Sequence, residues 1–329
     1  MKRIAVLDDY QGVVLSLPYW ERLAGRASVD LYRDTPADED ALVRRLGKYE
    51  IVVPIRERTP FPASLLGRLP SLELLALTGR NSGHVDLEAA TAHGILVVET
   101  EGSGTSAIEH TMAMLLAAAR RIPQEDRAMR QGGWQIGLGV ELSGKTLGIA
   151  GLGRIGSRIA AFGKFLGMRV LAWGPTLDDD RAAAAGARRV SLDDLFRESD
   201  IVSIHLRLSE RTRHIIKAEQ LSLMKPTAFL INTARGALVD EEALIAALME
   251  KRIAGAALDV YEVEPLPEKH PLRSCENAVL SPHMGFVTRE AYQLFFSQAV
   301  DAIDQYLQGK VPSRALNPHA IARRATLAR

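Results

Sequence analysis

Cysteine is nearly absent: the 329 residues include one, Cys275. A single thiol excludes an internal disulfide framework and any zinc cluster built from cysteines. Neither sign of charge is in excess, with Lys+Arg 41 against Asp+Glu 40 and a formal net charge of +1. A dedicated nucleic-acid binder needs a basic surplus for its phosphate contacts, and a polybasic membrane anchor needs one as well; neither is supported. Long hydrophobic runs are also missing. The most apolar stretch, 112–119, ends in Arg120-Arg121 and is far shorter than the roughly 20 residues that cross a bilayer. The opening segment 1–9 turns acidic after too few apolar residues to form a signal-peptide core. Short repeats, heptads and low-complexity tracts are absent. These exclusions leave a soluble globular protein of a reducing compartment, with the cytoplasm as the expected location and no nucleic acid or membrane as partner. At 47% hydrophobic residues, a chain of this length suggests about two domains, each with a core.

What is present is an alternation. Short runs rich in Val, Ile and Leu occur at 4–7, 51–53, 74–77, 95–98, 147–150, 170–173, 201–204, 228–231, 256–258 and 278–280. Ala-rich amphipathic stretches lie between them, among them 40–46, 108–119, 155–166 and 241–249. Strands buried on both faces read as continuous apolar runs, so the pattern predicts an α/β fold with doubly wound parallel sheets. A Gly/Ser-rich stretch at 101–105 marks a hinge, with Thr105 or Ser106 capping the helix that follows. The segment 288–307 reads as one long helix, followed by a Pro-containing tail.

The segment Gly151-Leu152-Gly153-Arg154-Ile155-Gly156 follows a strand and opens a helix. Here a G-x-G-x-x-G spacing has a physical reading: Gly151 permits a tight turn, Gly153 lets backbone approach a pyrophosphate, and Gly156 lets helix and strand pack closely. The helix N-terminus adds unpaired N–H groups and positive potential. The next strand, 168–173, should end in an acid that binds the adenosine ribose and selects NAD. Gly174-Pro175-Thr176 stands there instead, with Asp178, Asp179 and Asp180 just beyond. No Arg occupies the first positions after that strand to attract an NADP phosphate. The cofactor is therefore NAD or NADP, with the nearby carboxylates leaning towards NAD.

Three later strand ends carry charged or ionisable residues. Arg235 follows the run at 228–231, Asp259 and Glu264 follow 256–258, and His283 follows 278–280. Ligands of open α/β sheets bind at the carboxyl ends of strands, so these side chains are candidates to converge beside the cofactor. Their chemistry is coherent. Reduction of a 2-keto acid needs a hydride donor, a proton donor for the carbonyl oxygen and a cation for the carboxylate. His283 suits the acid/base role because imidazole titrates nearest neutral pH. Glu264 suits fixing its tautomer, and the Arg235 fork suits a carboxylate.

These residues carry a resemblance over nearly the whole chain to the D-isomer-specific 2-hydroxyacid dehydrogenase family, which includes glyoxylate/hydroxypyruvate reductases, D-lactate and phosphoglycerate dehydrogenases. Its carriers are the glycine turn, Asn232-Thr233-Ala234-Arg235-Gly236, Asp259-Val260-Tyr261 with Glu264-Pro265, and Ser281-Pro282-His283-Met284-Gly285. Ser106-Ala107-Ile108-Glu109-His110 and Gly132-Gly133-Trp134 also fit. The resemblance implies two Rossmann-like domains. Residues 1–102 with 288–329 would form a discontinuous substrate domain, and 103–287 the inserted dinucleotide-binding domain. It implies Arg235, Glu264 and His283 as the catalytic set, with no metal. Cofactor contacts would come from Gly151, Gly153, Arg154, Ile155, Gly156, His205, Thr233, Ala234, Asp259 and Gly285. It further implies a homodimer through the cofactor domain.

Two segments depart from the family pattern. The substrate loop reads Leu77-Thr78-Gly79-Arg80-Asn81-Ser82-Gly83-His84, leaving Gly79, Arg80 and Asn81 as candidate substrate contacts and His84 undecided. His205-Leu206-Arg207 replaces the usual His-Leu-Pro on the adenine side. Other residues read as ordinary structure: His110 packs near the hinge, His93 and His214 are turn or surface residues, His270 and His319 lie in loop and tail, and Cys275 is an inert loop thiol. Arg56-Glu57-Arg58 reads as a solvated charged loop, and 178–180 as an acidic turn capping a helix. Two alternative functions share the fold. A formate dehydrogenase is disfavoured, since formate oxidation needs no proton transfer and that family pairs its His with Gln. A cofactor-sensing corepressor keeps the same trio but adds docking and tail segments, and no extended disordered tail is expected in this chain.

Overall fold

The computed structural model describes residues 1–80 and 82–327. Most of the apolar runs become strands buried along their whole length, because a parallel sheet covered on both faces leaves no side of a strand exposed to water. Two compact units result, one comprising Met1–Ser103 with Thr288–Arg329 and the other Gly104–Val287.

The first unit holds β1 (Lys2–Leu7), β2 (Ala27–Leu31), β3 (Ile51–Pro54), β4 (Leu74–Ala76) and β5 (Leu96–Val98), in the order β2-β1-β3-β4-β5 with every pair parallel. Its core includes Leu7, Tyr49, Val52, Phe61, Leu75 and Val97. The long helix Arg289–Leu307 belongs to this unit; Thr288 caps it by accepting from Ala291 N at 3.2 Å. Its Phe296 ring lies 6.1 Å from Trp20 and 5.8 Å from Tyr292. The tail carries a further helix, Ala320–Leu327, whose Arg324 donates to Leu72 O at 2.7 Å and pairs with Glu73 at 2.9 Å. The expected solvated loop 56–58 is instead half-buried. Arg56 donates to Thr78 O at 3.1 Å and Arg58 to Asp8 O at 2.6 Å, so carbonyl acceptors take the place of water.

The second unit holds β6 (Thr146–Ala150), β7 (Arg169–Trp173), β8 (Arg188–Arg189), β9 (Ile201–Ile204), β10 (Phe229–Asn232), β11 (Gly255–Leu258) and β12 (Ala278–Leu280), in the order β12-β11-β10-β9-β6-β7-β8. This is the doubly wound 3-2-1-4-5-6 order with one strand added. Consecutive residues face opposite sides. Leu147, Ile149, Ile231 and Ala257 pack with Ile108, Leu115 and Ile159, while Ala150, Leu230 and Leu258 pack with Phe196, Leu244 and Leu248. Order reverses between β6 and β9, so the strand ends there, at Ala150 and Ile204, flank the position where such sheets bind ligands. Asp178 caps the helix Asp179–Ala184 by accepting from Arg181 N at 2.8 Å. Thr105 is the N-cap of Ser106–Arg120 but makes no side-chain cap bond, because its backbone is already helical (φ −107°, ψ −37°) rather than extended. Among the described residues no helix is long and apolar enough to cross a membrane.

Candidate active site

The glycine turn occupies the end of β6, where the sheet reverses. Gly151 has φ +103° and its N–H donates to Trp173 O at 2.7 Å, which ties the turn to β7. At Gly156 a Cβ would stand 2.2 Å from Gly151 O, so only glycine lets the helix Arg154–Phe165 start this close to the strand. A Cβ at Gly153 would meet nothing within 4 Å. Gly153 is also the N-cap, with no side-chain cap bond, so no cap side chain occupies the first N–H groups of the helix. This is the cradle a pyrophosphate fits. Gly156→Ala must push backbone against backbone, at a cost of about 2–3 kcal/mol. The expected outcome is a lower melting temperature and at least a tenfold loss of dinucleotide affinity by calorimetry; an unchanged affinity would contradict this reading of the turn.

Beyond β7 no acid stands at Gly174. Asp178 is engaged in its cap, Asp179 pairs with Arg189 at 3.6 Å, and Arg181 donates to Thr176 O at 2.8 Å. On the other flank, His205 donates its backbone N–H to Ala150 O at 2.7 Å, and its Nε2 lies 2.9 Å from Ser203 Oγ. Burial pushes the imidazole down to about 4. An unfolded histidine titrates near 6.5, so the unfolded chain binds this proton first. Stability from neutral His205 is present above about pH 6.5 and is lost as pH falls towards about 4, on the order of 2–3 kcal/mol. Thermal melts at pH 7, 6 and 5 should show that decline, and His205→Asn should flatten it; an equal slope in the variant would contradict the assignment.

β10, β11 and β12 are adjacent and parallel, with Asn232 opposite Leu258 and Leu258 opposite Leu280. The three loops that follow therefore leave the sheet on one edge. In the first, Asn232 shapes the turn: its Oδ1 accepts from Ala234 N at 3.1 Å and its Nδ2 donates to Arg235 O at 3.0 Å. Arg235 is half-buried, and its Nη1 donates to Ala234 O at 2.7 Å. Thr233 Oγ1 lies 2.7 Å from Thr111 Oγ1. A Cβ on Gly236 would stand 1.9 Å from Tyr261 C, so this loop lies backbone to backbone on the next.

In the second and third loops, His283 Nδ1 lies 2.5 Å from Glu264 Oε2. A carboxylate only accepts, so Nδ1 carries the proton and Nε2 is left to exchange one. Glu264 is itself held, its Oε1 accepting from Tyr261 N at 2.9 Å, and its peptide to Pro265 is cis. His283 adopts φ +53°, a left-handed conformation that non-glycine residues keep only where the surroundings impose it. Its ring stacks edge-on to Phe286 at 5.6 Å.

Asp259, fully buried, organises the same loop. It accepts from Met284 N at 2.7 Å and Gly285 N at 2.9 Å, and His110 Nε2 lies 3.0 Å from its Oδ1. Burial alone would raise its pKa, but hydrogen bonds from His110, Ser281 and Met284 N hold it below the usual carboxylate range. Asp259 is thus the anionic anchor of the backbone around His283. The sequence reading treated His110 as a packing residue; the structure places it on Asp259 and 3.1 Å from Ser281 Oγ. Tyr261, part of the Asp259-Val260-Tyr261 motif with no role of its own in the sequence, donates to Ser281 O at 3.0 Å. His214 and His270, read as ordinary, pair with Glu262 at 3.0 Å and Glu241 at 3.1 Å. Cys275 is buried, which pushes its thiol up.

The substrate-loop candidates lie in the first unit. Gly79, at φ +89°, donates its N–H to Thr100 Oγ1 at 2.6 Å, and Arg80 pairs with Glu101 at 3.0 Å. Asn81 lies outside the described residues. His84 sits 6.5 Å edge-on from Phe61.

Comparison with known proteins gives one consistent answer. The family model "D-isomer specific 2-hydroxyacid dehydrogenase, NAD binding domain" matches residues 112–285. The chain is 45% identical over 267 residues to a glyoxylate reductase of Aeropyrum pernix, covering 78% of this chain and 80% of that protein. It is 39% identical over 260 residues to a D-3-phosphoglycerate dehydrogenase of Archaeoglobus fulgidus, covering 78% of this chain but only 49% of that protein. Among solved structures, a phosphoglycerate oxidoreductase of Vibrio cholerae superposes with a TM-score of 0.89 at 39% identity, over 94% of this chain and 100% of that one.

Proposed function

Because the chain belongs to the D-isomer-specific 2-hydroxyacid dehydrogenases, a family of NAD-dependent oxidoreductases, we propose that it reduces a small 2-keto acid of the glyoxylate class to the D-2-hydroxy acid. The observation that carries this reading is the 2.5 Å pair of His283 and Glu264 on the same sheet edge as the glycine turn. The dinucleotide is held by Gly151, Gly153, Arg154, Ile155 and Gly156 around the turn, with His205, Thr233, Ala234, Asp259 and Gly285 along the strand ends. Bound in its reduced form, the nicotinamide supplies the hydride. His283 Nε2 delivers the proton to the carbonyl oxygen, and Glu264 holds the ring so that Nε2 faces the substrate. Arg235 receives the substrate carboxylate through its planar fork. Residues 1–102 with 288–329 act as the substrate domain, with Gly79, Arg80 and Asn81 as its candidate substrate contacts.

NAD is preferred to NADP. The three carboxylates at 178–180 repel a 2′-phosphate, and the neighbouring Arg181 and Arg189 already serve Thr176 and Asp179. Glyoxylate, hydroxypyruvate, pyruvate and longer keto acids, each assayed with NADH and NADPH, test substrate and cofactor together. Turnover with the two- and three-carbon acids, at least about tenfold better with NADH, is expected; tight nucleotide binding without any turnover would favour a sensor.

The protein acts as a homodimer in the cytoplasm. Trp134 (72% exposed) and Leu138 (94%) stand out of the second unit beside exposed Ile122, Met129 and Ile136, a concentration of apolar surface that monomers rarely leave in water. Light scattering should give a dimer for the native chain and a monomer for Trp134→Glu/Leu138→Asp; a native monomer would refute this.

A further inference from the structure

Apart from the glycine turn and the three strand-end loops, the second unit has an open surface cavity of about 390 Å³, lined mostly by exposed side chains, in the connection from β9 to the helix Ala218–Leu223. Its wall carries Arg211, Arg213, His214 and Lys217 against one carboxylate, Glu219. Among the described residues neither Arg211 nor Lys217 has an ion-pair partner. The other two converge on one acid: Arg213 Nη1 lies 3.5 Å and His214 Nε2 3.0 Å from Glu262 Oε1. His214 reaches Glu262 from a left-handed backbone (φ +46°) fixed by its N–H bond to Ala237 O at 2.8 Å. Glu262 stands two residues before Glu264, in the loop whose Tyr261 N–H fixes the Glu264 carboxylate.

We propose that this cavity binds a small phosphate-bearing anion and that its occupancy slows the enzyme through Glu262. Guanidinium forks match phosphate oxygens in pairs, and a doubly charged oxyanion suits a wall with this surplus of cations. The volume exceeds that of inorganic phosphate, leaving room for a small organic group on the ester. An anion drawn in by Arg211 and Lys217 competes with Glu262 for the Arg213 guanidinium and the His214 ring N–H. Released from both, Glu262 no longer braces the loop, and Glu264 holds the His283 ring less well. The binding site stands independently of the proposed chemistry; the coupling rests on it.

The test uses inorganic phosphate on the full chain saturated with NADH, so that the glycine turn is filled, with chloride matching ionic strength. Calorimetry should show phosphate binding to the native protein, weakened at least tenfold in Arg211→Glu/Lys217→Glu, whose phosphate-free turnover equals that of the native protein. As phosphate saturates the native protein, kcat should fall severalfold while the double variant stays unaffected. Glu262→Gln should still bind phosphate but lose the response of kcat. Equal phosphate affinity in the native protein and the double variant, or no binding to either, overturns the site whether or not keto acids are turned over. Binding that the double variant abolishes, with kcat indifferent to phosphate in the native enzyme, overturns the coupling.

Discussion

Replacing His283 with Ala is expected to lower kcat for keto-acid reduction by about 10²–10⁴-fold, the usual weight of a positioned general acid. Affinity for NADH should stay within a factor of about two, since the glycine turn lies on β6 and the histidine beyond β12. The geometry makes the effect specific. Nδ1 is committed to Glu264 at 2.5 Å, and Asp259 fixes the backbone on the far side through Met284 N and Gly285 N. Only Nε2 is left for the substrate. Glu264→Gln should therefore lose less, about 10–10²-fold, because the ring remains but its orientation and tautomer are no longer imposed. Stopped-flow single turnovers separate this chemical step from product release. A kcat within threefold of the native value in His283→Ala would remove the histidine from the mechanism.

Arg235→Met should cost about 3–4 kcal/mol, or 10²–10³-fold in kcat/KM, as expected when one partner of a desolvated charge pair is removed. Much of the loss should appear as a higher KM for the keto acid, with KM for NADH little changed. Arg235→Lys keeps the charge but not the fork, and should recover only part of the loss. The loop supports this assignment: Asn232 bonds on both sides of the turn, and Gly236 lets it rest on Tyr261, so the guanidinium leaves a braced backbone. Equal KM for the keto acid in the native protein and Arg235→Met would place the carboxylate elsewhere.

The sequence carries some of these features locally and others only through neighbours. Strands such as β6, β9 and β11 announce themselves because all their residues are buried. β2 and β8 do not. Both are edge strands, β2 only half-buried and β8 a pair of exposed arginines, and each joins its sheet because a neighbour offers an unpaired edge. The helix Ala320–Leu327 is similarly hidden: Arg324 finds its partners at Leu72 and Glu73, far back in the chain. At the site, Arg235, Glu264 and His283 stand out as ionisable residues after apolar runs. His110 does not, since a histidine inside an amphipathic helix looks like packing until β11 brings Asp259 against it. The loop 56–58 misleads for a related reason: its arginines are satisfied by the carbonyls of Thr78 and Asp8, which no local pattern reveals.

The most direct measurement is the configuration of the product. Hydroxypyruvate and NADH are incubated with the native chain, and the glycerate formed is resolved by chiral chromatography. D-glycerate in near-complete excess, formed in step with NADH oxidation and lost in His283→Ala, is the expected result. L-glycerate, a racemate, or NADH oxidation that persists in His283→Ala would contradict a D-specific reduction run by His283, Glu264 and Arg235.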